Sequence, residues 1–414
     1  MTRMTWRRVS GALAWVEAAG VVGFYAVVAR RTGVHRTPLQ VPGGAHGRPP
    51  DAPTGGGGME RDGEPVEDRA EEPLVSIVLP ARDEERNIRG CVESLLAQDY
   101  PRFEVIVVDD ASTDATPAIL AEIRREHPRR DRLGVVRVAM LPPGWAGKPH
   151  AIATGAEQAR GEWLLFTDAD TRHAPHALHP AMGLAREHGD DLFSLGTRQD
   201  VPDFWGRVLM PLAYTGIAMM YPPEQVNDPR SPVAIANGQY ILLRRAMYER
   251  VGGYSAPRLR ATVLDDRDLA REVKRAGGRM EMVDGRTLVS TRMYQALSEH
   301  WEGWSKNAYA GSRGGLPFYL VMIVGLPMVT IAPFALLLAG VVTRRSRFAL
   351  PGAAAVAATL AYRSGVQREM AVPFRYAWTQ PLAGAVFTGI LLRSFWRVAT
   401  GRGVVWRGRT IRVE

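Results

Sequence analysis

Short, unbroken apolar runs alternate with amphipathic ones through the middle of this chain. Residues 74–79, Leu-Val-Ser-Ile-Val-Leu, are too short for a buried helix and stop at Pro80, which predicts a buried strand. From about Glu84 to Gln98, residues Ile88, Cys91, Val92, Leu95 and Leu96 recur at helical spacing and predict a helix with one buried face. Residues 103–108, 134–140 and 163–167 read as three further strands. Between the first two of these, Ser112-Thr-Asp-Ala-Thr116 reads as a helix start whose hydroxyls and carboxylate suit capping. Repeated strand–helix units predict an α/β domain on a mostly parallel sheet covered on both faces.

The two ends follow a different pattern. Residues 10–28 are apolar apart from Glu17 and lie between Arg7-Arg8 and Arg30-Arg31. About 20 apolar residues cross a bilayer, so residues 1–30 are expected to form an N-terminal transmembrane anchor. A cleaved signal peptide is the alternative, although no small-x-small site follows. Residues 316–342 carry no charge and are long enough to cross with tilt. Residues 376–392 are a second candidate span, with Trp378 and Trp396 near its ends. Residues 348–362 are apolar but short and rich in Ala and Gly: a third span, a re-entrant piece or a packed helix. The expected organisation is therefore an anchor (1–30), a flexible linker (31–72), a soluble domain (73–313), C-terminal transmembrane helices (314–400) and a basic cytoplasmic tail (401–414). The linker is crowded with Gly, Pro and acidic residues and has too little apolar content to fold.

Composition narrows this further. A chain of 414 residues has room for more than one domain, and its single cysteine, Cys91, excludes an internal disulfide. The net charge of +9 comes largely from arginines flanking apolar runs at the two ends, a membrane-surface pattern rather than a nucleic-acid groove. Only three lysines occur, Lys148, Lys274 and Lys306.

The candidate chemistry sits where the strands stop. Asp83-Glu84, Asp109-Asp110 and Asp168/Asp170 each follow a predicted strand, and parallel sheets bind ligands at those ends. One such pair alone is an ordinary turn. Three on one rim repel one another and raise each other's pKa, so a divalent cation with oxygen ligands fits among them. A cation bridging carboxylate and diphosphate would stabilise a leaving group.

Five stretches in order, VSIVLPARDEERNI, VIVVDDASTDAT, GKPHAIATG, LLFTDADT and VLDDRDLAREV, resemble family 2 glycosyltransferases with a GT-A, Rossmann-like fold. The resemblance covers residues 73–307, and the flanking segments resemble the membrane-bound branch that modifies carotenoids, hopanoids and similar lipids. It implies an inverting enzyme using a nucleotide-diphospho-sugar with Mg²⁺ or Mn²⁺. By this resemblance Asp168 and Asp170 are the DxD motif that holds metal and donor. Pro80, Asp83 and Glu84 match the segment along the nucleoside, the family often having Asn at the place of Asp83. Asp110 matches the acid that pairs with uracil and favours UDP donors. Lys148 is placed to approach the diphosphate, a role for which a compact ammonium differs from a guanidinium. Asp266 matches the catalytic base of the ED motif, here preceded by Asp265 rather than Glu.

Polymerising relatives carry QxxRW, which Ser298-Glu-His-Trp301 does not match, so a processive polysaccharide synthase is disfavoured. Trp301 and Trp304 could line the acceptor site or form a membrane tryptophan belt. Gly238, in Ala236-Asn-Gly-Gln-Tyr240, resembles the acceptor-side segment, where glycine permits close backbone approach. Residues 204–221 read either as an interfacial segment or as a buried helix, and His173 as a core histidine rather than a ligand. The expected protein is a multi-pass cell-membrane hexosyltransferase with a cytoplasmic catalytic domain. It would move one sugar from a UDP donor to a lipid hydroxyl and bind no nucleic acid. The alternatives are a polyprenyl-phosphate glycosyltransferase and an inactive subunit of a membrane assembly.

Overall fold

The computed structural model describes residues 3–32, 72–311, 315–400, 404–406 and 409–411. The expected linker falls almost wholly outside them. Helix α1 (Arg3–Thr32) is followed by the α/β domain. That domain opens β1 (Val75–Ala81), α2 (Ile88–Leu96), β2 (Phe103–Asp110), α3 (Thr116–Glu126), β3 (Leu133–Val138), α4 (Gly147–Gln158), β4 (Trp163–Phe166). It continues β5 (Thr171–His173), α5 (Leu178–Glu187), β6 (Leu192–Gly196), β7 (Arg198–Gln199), α6 (Phe204–Met220), α7 (Pro223–Asn227), β8 (Ile241–Arg244) and α8 (Arg245–Arg250). Helix α9 (Asp265–Arg275), β9 (Met280–Asp284), β10 (Val289–Thr291) and α10 (Leu297–Gly311) close it.

The main sheet has the order β3-β2-β1-β4-β8-β6-β9. Every strand runs the same way except β8, which is antiparallel to both β4 and β6. Ala81 lies opposite Asp109 and Val78 opposite Phe166, so β1, β2 and β4 all leave the sheet at one edge. Strand alternation divides the core into two layers. Ile77, Leu79, Val105, Val107 and Leu165 face α2 and α5, whereas Val78, Ile106, Val108, Leu164 and Phe166 face α4 and α9. The α2 face is the one expected from spacing, with Ile88, Cys91, Val92, Leu95 and Leu96 all buried. Helix α4 lies directly on the sheet because Gly155 lacks a side chain: a Cβ there would stand 2.4 Å from Val78 Cγ1 and 3.0 Å from Val108 Cγ2.

Outside this domain, residues 10–30 of α1 and the stretch Gly315–Val342 are long and apolar enough to cross a membrane. The second stretch comprises α11 (Gly315–Thr330) and α12 (Ala332–Val342). Residues 348–362 lie inside α13 (Ser346–Glu369), which packs on α12 and α1. The expected span 376–392 begins in a 3₁₀ turn (Phe374–Thr379) and continues as α14 (Gln380–Ala399), which carries Arg393 and Arg397 and is not among the two apolar stretches. Residues 204–220 form α6, buried along one face: Val208 and Leu209 pack on Ala383 of α14, and the Tyr362 hydroxyl of α13 donates to Thr215 Oγ1 at 3.2 Å. Within the tail, β11 (Val404–Trp406) and β12 (Arg409–Ile411) pair antiparallel.

Candidate active site

The common edge of β1, β2 and β4 is built by two loops that tie each other down. The backbone N–H groups of Asp83, Glu84 and Glu85 donate to Ser112 Oγ (3.0 Å), Thr116 Oγ1 (2.8 Å) and Asp114 Oδ2 (2.9 Å). In return, Thr113 N–H donates to Asp83 Oδ1 (2.8 Å) and Ala115 N–H to Glu85 Oε2 (3.1 Å). The capping expectation for Ser112–Thr116 holds for the carboxylate alone. Helix α3 starts at Thr116, whose N–H donates to Asp114 Oδ1 at 2.9 Å, while the loop after β1 takes the Ser112 and Thr116 hydroxyls. The lacing holds Asp83 at a φ of 51°, a left-handed conformation that Asp adopts more readily than most residues. At the end of β2 the Asp110 side chain is buried, and Arg82 Nη1 donates to the Asp110 carbonyl at 2.8 Å.

The loop after β4 is braced from below. Thr171 Oγ1 donates to the Asp168 carbonyl at 2.8 Å, and Thr167 Oγ1 donates to the Gln239 carbonyl at 2.8 Å. His173 Nε2 lies 3.1 Å from Thr167 Oγ1 and 3.0 Å from Thr171 Oγ1. Burial and the neighbouring Arg172 push its pKa down to about 3, so it is a neutral core residue.

Above this brace the carboxylates converge on one lysine. Lys148 Nζ lies 2.8 Å from Asp168 Oδ1 and 3.2 Å from Asp265 Oδ2. Burial alone would depress that ammonium, but Asp168, Asp265 and Asp266 outweigh it and hold its pKa above the ordinary lysine value. Asp265 and Asp266 sit in the first turn of α9, where the helix dipole favours negative charge. Asp266 Oδ1 accepts the Arg267 N–H at 2.7 Å, and Asp266 Oδ2 accepts the Gly238 N–H at 3.3 Å. Gly238 is small for a reason: a Cβ would stand 3.1 Å from Lys148 Nζ, 3.5 Å from Asp266 Oδ2 and 3.6 Å from Asp168 Oδ2. Burial, then the charge of Asp265, raises the Asp266 pKa to about 6. Burial, then the charges of Asp168 and Glu84, raises that of Asp170 to about 7. Asp170 Oδ1 is buried with no hydrogen-bond partner. An unpartnered carboxylate oxygen beside a second carboxylate fits a hard divalent cation.

All of these groups open onto one cleft of about 1420 Å³. Pro80, Asp83, Glu84, Asp110, Lys148, Asp168, Asp170, Gly238, Asp265 and Asp266 line it. Trp301 and Trp304 do not. A Cβ on Gly389 of α14 would stand 2.5 Å from the Trp301 ring, and Trp304 stacks on Phe387 at 5.9 Å between centroids. The acceptor-lining place expected for them is thus occupied by packing between α10 and α14. The opposite face of α10 turns Glu299, Glu302 and Lys306 into the cleft. Lys306 stands out in the sequence as one of three lysines, following Trp301-Glu-Gly-Trp304, whereas no motif singles out Glu299 and Glu302, although the i, i+3, i+7 spacing of the three marks one helical face. Burial lowers the Lys306 ammonium below the ordinary lysine value, with Asp265 opposing that shift and Lys148 adding to it.

Residues 76–252 match the family described as glycosyl transferase family 2. A poly(ribitol-phosphate) β-N-acetylglucosaminyltransferase of Staphylococcus aureus is 36% identical over 121 residues, 28% of this chain and 20% of that protein. A β-monoglucosyldiacylglycerol synthase of Nostoc sp. is 29% identical over 203 residues, 48% of this chain and 40% of that one. The 4,4′-diaponeurosporenoate glycosyltransferase of Staphylococcus haemolyticus is 26% identical over 255 residues, 60% of this chain and 65% of the relative. The chain therefore spans less than two thirds of the length of each of these relatives. Among solved structures, a mannosyltransferase of Pyrobaculum calidifontis in complex with GDP-mannose and Mn²⁺ superposes with a TM-score of 0.52 at 20% identity, covering 94% of this chain and 98% of that one. That likeness speaks to the fold. The chain carries a family 2 glycosyltransferase domain on a GT-A fold.

Proposed function

We propose that the chain is an inverting glycosyltransferase that moves one hexose from a UDP-sugar to the hydroxyl of a membrane lipid. The observation that carries this is the gathering of Asp168, Asp265 and Asp266 around Lys148 at the carboxyl edge of the sheet, with the unpartnered Oδ1 of Asp170 beside them. In an inverting displacement the acceptor oxygen attacks the anomeric carbon from the face opposite the departing diphosphate. The acceptor's O–H bond breaks as the new C–O bond forms, and UDP leaves with the electrons of the old one. Asp266 takes the proton, and its raised pKa suits a base working near neutrality. Asp265 holds Lys148 in place and Gly238 leaves room for the reacting atoms. Mg²⁺ or Mn²⁺, held by Asp168 and Asp170, would supply positive charge against the diphosphate. Lys148 adds its own positive charge on the same side.

Pro80, Asp83 and Glu84 form the wall for the nucleoside, and Asp110 accepts the imide N–H of uracil. The names of the diacylglycerol and diaponeurosporenoate relatives support a lipid acceptor. In this reading residues 1–30 anchor the chain, 31–72 link it, and 73–313 form the catalytic domain. Residues 314–400 return to the bilayer and 401–414 form a cytoplasmic tail. The domain faces the cytoplasm, where nucleotide sugars are made.

The test separates two adjacent acids. Asp266→Asn keeps the shape and removes the basicity, so transfer should fall by about 10²–10⁴-fold while donor binding stays near wild type. Asp265→Asn should be milder. Near-normal rates in both variants would point instead to an acceptor that is already anionic, such as a polyprenyl phosphate. A dead Asp265→Asn beside an active Asp266→Asn would reverse the two roles.

A further inference from the structure

The cleft is larger than its donor needs, and one wall of it is chemically distinct. Ligand pockets for one compact molecule run to about 300–1,000 Å³, whereas this cleft holds about 1420 Å³. One wall of it is lined by the segment after β10, where the Arg292 N–H donates to the Asp170 carbonyl, and by one face of α10. Two of its lining side chains, Arg292 and Gln295, form no side-chain hydrogen bond and no ion pair with another described residue, and a third, Glu302, feels only the charge of Arg393 from α14. Glu299, beside them, is already engaged. It accepts the Gln295 N–H at 2.7 Å and stands 3.6 Å from Arg86 of the opposite lip.

A guanidinium, an amide and a carboxylate are complementary to neighbouring hydroxyls, which donate and accept at once. An apolar head with a single hydroxyl would strip water from all three groups and return nothing, a mismatch worth on the order of tenfold in affinity per group. A phosphate head would suit Arg292 but would meet the charges of Glu299 and Glu302.

Resting on the glycosyltransferase reading above, we propose that the acceptor is a lipid whose head carries several neighbouring hydroxyls, a sugar or a polyol. Arg292, Gln295 and Glu302 hold that head so that one hydroxyl faces Asp266. Helix α10 is built for such a role, since its polar face meets the head in the cleft while its tryptophan face packs on α14. The span Gly315–Val342 begins four residues after its last turn.

The experiment uses the full chain in mixed micelles with UDP-glucose and UDP-N-acetylglucosamine as trial donors. Monoglucosyl diacylglycerol and diacylglycerol serve as paired acceptors, and donor hydrolysis is followed alongside transfer. The glucosylated lipid should be used with at least tenfold higher kcat/KM. Glu302→Gln, checked for an unchanged melting temperature, should raise the KM for that lipid about tenfold and leave the KM for donor where it was. Arg292→Gln should act in the same direction. Equal use of both lipids, or variants that move the donor KM instead, would overturn the proposal. So would a wild type that hydrolyses donor but glycosylates only diacylglycerol, and this outcome leaves the glycosyltransferase reading standing. Absence of both hydrolysis and transfer would overturn the two together.

Discussion

Asp266 and Asp170 differ in what a proton does to them. With its pKa raised to about 6, Asp266 is a competent base above that pH and is protonated below it. The predicted profile of kcat/KM therefore falls on the acid side from about pH 6, and the residual rate of Asp266→Asn should lack that limb. A wild-type profile that stays flat to pH 5 would remove Asp266 from the role. Asp170, raised to about 7, holds a proton that a divalent cation must displace. Millimolar Mn²⁺ or Mg²⁺ should raise the melting temperature of the wild type, and more so as pH climbs through 7. Asp170→Asn should lose both that stabilisation and the activity, and equal stabilisation of the variant would place the cation elsewhere. Asp170 is legible in sequence because it follows an apolar run, whereas Asp266 is legible only through the resemblance carried by VLDDRDLAREV. The convergence of Asp168 and Asp265 on Lys148 is not, since it joins residues far apart in the chain.

At the scale of elements, the first half of the sheet can be read directly. β1, β2 and β4 are buried on both faces and appear as unbroken apolar runs, and α2 shows its buried face at helical spacing. Legibility fails where local chemistry serves a distant partner. Ser112 and Thr116 look like caps for α3 but are drawn off by the backbone after β1. Trp301 and Trp304 are close to the cleft-facing Glu299 and Lys306 only in sequence; on the helix they occupy the opposite face, which Phe387 and Gly389 of α14 claim. The seat of α4 on the sheet is equally hidden, since a single glycine carries no pattern. Gly155→Ala places a methyl 2.4 Å from Val78 Cγ1. It should destabilise the domain by about 1–3 kcal/mol, through overpacking. Thermal melting would check this, with a shift of about 2–4 °C per kcal/mol expected for a domain of this size. An unchanged melting temperature would mean that α4 lifts from the sheet at no cost.

For the whole molecule, the proposed arrangement places the catalytic domain and the C-terminal tail on the same side of the membrane. The one cysteine makes this testable, because Cys91 is buried and its thiol is pushed up to about 12, leaving it unreactive. A cysteine introduced at the exposed Thr400 should therefore be labelled by an impermeant maleimide only after cells are opened. Labelling of intact cells would put the tail outside. Sugar transfer to lipid is the central claim, and mass spectrometry of lipids from cells with the wild-type chain and with Asp266→Asn measures it most directly. A lipid heavier by one hexose should appear with the wild type and be lost with the variant. Identical lipid profiles in the two strains, or the sugar appearing on a polyprenyl phosphate instead, would contradict the claim.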